Sequence, residues 1–110
     1  GLIRSIDYST SAALERALTV APDDNGKLAA ALERWRARAV SAFLAAYREN
    51  MSDRRLWPDD PAAAQRMLDF FLLEKAFYEI DYEIGHRPDW VRVPLIGALR
   101  ILSGLHEAAT

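Results

Sequence analysis

Cysteine is absent from the 110 residues, which excludes disulfides and thiolate metal sites and leaves the redox compartment unread. Glycine is scarce: five residues, scattered singly, so no glycine-rich loop or Walker motif is present to cradle a phosphate. No apolar run approaches the roughly 20 residues that cross a bilayer. Arg4 and Asp7 interrupt the first apolar residues, so the opening does not read as a secretory leader and a cytoplasmic protein is the expectation. Excess positive charge is missing too. The net charge of -2 argues against broad attraction to nucleic acid or an anionic membrane surface. No stretch alternates apolar and polar residues long enough to predict a strand, and neither a repeat nor a low-complexity tract occurs.

What is present is ordinary for a globular protein, 51% hydrophobic and 27% charged residues, in a length that suits one domain covering 1–110. Spacing predicts an all-α fold, a small bundle of about four helices. The first runs from about Leu2 to Leu18, with a break suggested near Ser9, Thr10 and Ser11, whose hydroxyls compete for backbone bonds. No capping residue stands before Leu2, Ile3 and Ile6. A chain that opens inside a helix reads as part of a larger protein.

Pro22 to Gly26 form a turn whose acidic residues suit the start of the second helix, Lys27 to Glu49. There Leu28, Leu32, Trp35, Ala39, Ala42 and Ala46 mark an apolar stripe, widened by Phe43 and Tyr47. Glu33, Arg34, Arg36 and Arg38 are expected in water. A connector over 50–60 ends in Asp60-Pro61, an N-cap followed by an N1 proline. The third helix is expected to run from Pro61 to about Ile84, stopping at Gly85, and the fourth to start near Pro94 with Leu95, Leu99, Leu102 and Leu105 on one face.

The third helix carries two patterns. Phe70, Leu73, Phe77, Ile80 and Ile84 recur at three and four, and Met67, Leu68, Phe71 and Leu72 thicken the apolar surface, so its first half is expected to be buried between other helices. Further on, Lys75, Tyr78, Glu79 and Tyr82 share a face, with Glu83 and His86 close by. Phenol rings suit the C–H side of a pyranose and carboxylates accept bonds from its hydroxyls, so this row can form a sugar-binding wall, with Arg87 adding a donor. The alternative is a half-buried helix in which Lys75 and Glu79 pair locally and the tyrosines cover the edge of the core.

Other candidates are weaker. His86 and His106 have no partners at ligand spacing, so neither is assigned to a metal. Asp7 sits within a helical pattern, with no strand before it and no glycine after it, and reads as structural or as a support for other groups. Trp35 and Trp57 read as core or connector anchors, and Trp90 as tucked against the helices. No nucleophile elbow or HExxH motif exists. Glu79 and Glu83 share one helix with no facing wall, which suits glycoside chemistry poorly. No set of base, nucleophile and stabilising group can be assembled, so no catalytic residue is assigned.

The run Phe71-Leu72-Leu73-Glu74-Lys75-Ala76-Phe77-Tyr78-Glu79-Ile80-Asp81-Tyr82-Glu83, continuing to Arg87-Pro88-Asp89-Trp90, resembles the C-terminal signature of maltokinases, free-standing or fused behind a trehalose synthase. The opening Gly1-Leu2-Ile3-Arg4-Ser5-Ile6-Asp7-Tyr8 is similar to that family's G-M-L-R-S-F-D-Y segment, and Val93-Pro94-Leu95-Ile96-Gly97 to its I-P-L-R-G ending. Ile96 departs from the usual arginine. The matches fall in order along essentially the whole chain. The resemblance implies the rear part of a kinase-like C-lobe, in an enzyme that transfers phosphate from ATP to maltose to give maltose 1-phosphate for α-glucan synthesis.

That family's catalytic and metal-binding aspartates lie upstream of the matching segments. The resemblance therefore implies no catalytic residue and no cofactor in this chain, with ATP and magnesium held by the remainder of the same polypeptide. Carried over by position, Tyr78, Glu79 and Tyr82 become candidate maltose contacts, with Arg87 beside them. Such a piece is expected to expose apolar surface and to self-associate. The rival reading is a non-catalytic helical interaction module whose tyrosine row meets a partner.

Overall fold

The computed structural model describes residues 1–51 and 58–109, the side chains of His106, Ala108 and Ala109 excepted; the expectations for Trp57 and His106 lie outside the described residues. Those residues form four α-helices and no strand: α1 (Leu2–Val20), α2 (Asn25–Met51), α3 (Pro61–His86) and α4 (Arg92–Ala109). The all-α class is as the spacing predicts. The chain divides into two compact units, Gly1–Trp57 and Pro58–Thr110, each a pair of helices packed against one another.

In the first pair α1 runs unbroken through Ser9-Thr10-Ser11. The hydroxyl of Thr10 donates back to the carbonyls of Ile6 and Asp7, both at 2.9 Å, so it decorates the helix where competition with the backbone was expected. At the far end the Ala21 N–H closes on the Ala17 carbonyl at 3.0 Å, and a 3-10 turn at Pro22–Asp24 leads into α2.

The half-buried positions of α2 include Leu28, Leu32, Arg36, Ala39, Val40, Phe43 and Leu44. This corrects the predicted stripe, which is turned partway round. Trp35, Ala42, Ala46 and Tyr47 are exposed, and Arg36, expected in water, lies inward. The cause is a buried carboxylate on α1: Asp7 needs cations beside it, and Arg36 supplies one at 3.6 Å.

In the second pair the start of α3 is as expected. Asp60 caps the helix by accepting from the Ala63 N–H at 3.2 Å, and Pro61 occupies the first position, where no N–H is needed. The helix passes Gly85 and ends at His86, because Arg87 bonds back to the Glu83 carbonyl at 2.8 Å and the next residue is proline, which disfavours helical backbone before it. A 3-10 turn at Pro88–Trp90 follows. Pro94 falls within the first turn of α4, where its missing donor does no harm.

The buried positions of this pair are Ala64, Ala76, Val93, Pro94, Gly97, Ala98 and the carboxylate residue Glu83. Small side chains let helices approach closely; Met67, Leu68, Leu72, Leu73 and Ile80 are half-buried, while Phe70, Phe71, Phe77 and Ile84 are left outside. Phe70 is 62% exposed, Phe77 56% and Ile84 63%. The expectation that the first half of α3 is enclosed by other helices is therefore corrected. The apolar girdle is too wide for one partner helix to cover. Leu95, Ile96, Leu99 and Leu102 of α4 also face outward.

Candidate functional site

The last three turns of α3 bring Lys75, Tyr78, Tyr82 and His86 into a continuous ridge, each three or four residues from the next and therefore stacked along one face. Phe71, four residues before Lys75, extends it at the other end and meets Phe70 edge-on at 5.6 Å. Tyr78 is 61% and Tyr82 43% exposed. Both rings present surface to water while part of each stays covered.

Neighbours fix both phenols. The Lys75 ammonium lies 4.6 Å from the centroid of the Tyr78 ring, so the cation expected to pair with Glu79 sits over the adjoining aromatic. The His86 ring stacks on Tyr82 at 4.2 Å with 12° between planes. Its Nδ1 stands 2.8 Å from the Tyr82 carbonyl. A carbonyl only accepts, so Nδ1 carries a proton and donates it there. Each phenol thus has one face engaged and its orientation set.

Glu79 is half-buried beside the ridge. Arg87 is set apart from it. Its Nε and one Nη donate in a fork to the two carboxylate oxygens of Glu83, both at 3.0 Å, and its guanidinium rests 5.1 Å from the Trp90 ring centroid. Glu83 is fully buried. A buried carboxylate held by a forked guanidinium is a tether, and here it fastens the end of α3 to the Pro88–Trp90 turn. Of the four candidate contacts, the structure groups Tyr78 and Tyr82, keeps Glu79 beside them, and gives Arg87 a bracing role.

A second charged cluster lies in the first helix pair. Asp7 is buried, bonds the Arg4 guanidinium one turn earlier and faces Arg36 across the pair. Arg36 in turn grips Glu33 through two bonds of 3.0 and 2.7 Å. The Glu33 carboxylate foremost, with Asp7 adding to it, holds the Arg36 guanidinium above its ordinary pKa against the opposing pull of burial. Opposite charges set this close brace the two helices against one another, which is the behaviour of a structural clamp. Asp7 is held between Arg4 and Arg36 within the helix pair.

The sequence places His86 close by the row but does not give it the role of stacking on Tyr82, although its position four residues on is the signal for that. Arg36 has Glu33 three residues before it, but the buried carboxylate that draws it inward lies on another helix. Among the described residues no group of three or more His, Asp or Glu side chains is placed to hold a metal ion, and no helix is long and apolar enough to cross a membrane. No protein-family model matches the chain, and no solved structure matches it.

Proposed function

We propose that this chain is the C-terminal helical part of a maltokinase, free-standing or fused to a trehalose synthase, and that the α3 ridge borders the maltose. The observation that carries this is the exposure of two aligned, orientation-fixed phenols in the segment whose sequence resembles that family. Rings held outward by a cation and an imidazole suit the apolar face of a pyranose, while the Glu79 carboxylate offers acceptors for its hydroxyls. The outward leucines of α4 serve in this reading as contact with the remainder of the polypeptide.

Phosphoryl transfer needs a phosphate cradle, metal-holding carboxylates and a base. On this reading the remainder of the polypeptide holds ATP and magnesium, since the family's catalytic and metal-binding aspartates lie upstream of the segments this chain resembles. In the complete polypeptide, Tyr78→Ala and Glu79→Ala are each expected to raise the KM for maltose about tenfold, equivalent to ~1.4 kcal/mol of binding, with the KM for ATP unchanged. An unchanged maltose KM in both variants removes the sugar assignment. A second reading, a helical interaction module, is favoured by one observation: the exposed phenylalanine row of α3.

A further inference from the structure

That row has an internal symmetry. At about 100° per residue, Phe70 and Phe77 lie within about 20° of each other around α3, and Arg66 and Asp81 within about 30° of the line midway between them. All four are exposed, and among the described residues no ion pair within the chain engages Arg66 or Asp81. The order along the helix is cation, phenyl, phenyl, anion. It is palindromic in shape and opposite in charge about a point between Leu73 and Glu74.

We propose that this face of α3 pairs antiparallel with the same face of a second copy of the chain. A two-fold axis through that midpoint lays Phe70 on the partner's Phe77, and Arg66 on the partner's Asp81, each contact occurring twice. A parallel pairing would set Arg66 against Arg66 and Asp81 against Asp81, so the charges select the antiparallel register. The sugar ridge is centred about 130° further round α3 and stays open, so this proposal stands apart from the sugar reading.

The exposed parts of Phe70, Phe77 and Ile84 offer on the order of 100 Å² each. Two copies together bury roughly 600 Å² of such surface, short of the ~1,200 Å² of a specific stable interface. The flanking polar residues must therefore join the contact, and the dimer is weak, with a Kd on the order of tens of micromolar. Glu74 lies near the axis and meets its own copy, so Glu74→Gln tightens the dimer slightly.

Sedimentation velocity of the 110-residue chain across a concentration series tests this. The expected result is a monomer–dimer equilibrium that Phe77→Glu weakens at least about tenfold, with the helical circular dichroism unchanged. Arg66→Asp and Asp81→Arg each place like charges together twice and weaken self-association severalfold. Mixing those two single variants one to one makes both pairs attractive again and restores the dimer. A chain that stays monomeric throughout overturns the proposal, as does a dimer indifferent to the charge variants or a mixture no better than its parts. So does a dimer that Leu99→Glu dissolves and Phe77→Glu does not.

Discussion

Asp7 and Glu83 are the residues on which the two helix pairs most visibly depend. Each is a buried carboxylate held by arginine, and removing one member of a buried ion pair costs more than the pair contributes. Asp7→Asn leaves Arg4 and Arg36 beside a neutral amide and is expected to lower the unfolding free energy by about 3 kcal/mol, measured by urea denaturation. Glu33→Gln, at a half-exposed position, is expected to cost under about 1 kcal/mol. Arg36, with its pKa raised in the folded state, contributes its stabilisation below its unfolded pKa and loses it only as pH climbs through strongly alkaline values. The contribution of that guanidinium is therefore present at every working pH. The cap of α3 was legible in the sequence from Asp60-Pro61, whereas the Glu83–Arg87 pair, a turn apart, was not. Arg36 was not, since a charge on an amphipathic helix reads as solvated until the buried partner on the neighbouring helix is seen.

At the scale of elements, helix type and number followed from spacing alone, and the boundaries moved by only a few residues. The shifts had identifiable causes: Pro94 tolerated in a first turn, Gly85 carried inside α3 by the Glu83–Arg87 tether, Thr10 bonded along α1. Facing was less legible. The apolar residues of α3 encircle much of the helix, so periodicity could not say which side a single partner would cover. The structure covers the side bearing Ala76 and Glu83 and leaves the phenylalanines out. The ridge was legible as a row, while its exposure was not. Two stability measurements belong here. Asp60→Ala removes the cap of α3 and is expected to cost about 1 kcal/mol. Tyr78→Ala, at an exposed position, is expected to change the unfolding free energy by less than about 1 kcal/mol, so that loss of sugar binding in that variant reports on contact and not on folding.

For the whole molecule, both helix pairs are braced by buried carboxylates, and the second presents three outward surfaces: an aromatic ridge, a phenylalanine row and a leucine row. A chain of this size that leaves so many large apolar side chains in water is built to be covered. The maltokinase reading gives the ridge a sugar and the leucine row the rest of the polypeptide, while the phenylalanine row goes to a second copy. The central claim is that the ridge touches maltose, and hydroxyl-radical footprinting of the complete polypeptide, with and without saturating maltose, tests it most directly. Expected is protection of Tyr78, Tyr82 and His86 with Trp35 oxidised as before; oxidation of Tyr78 and Tyr82 unaltered by the sugar would contradict it.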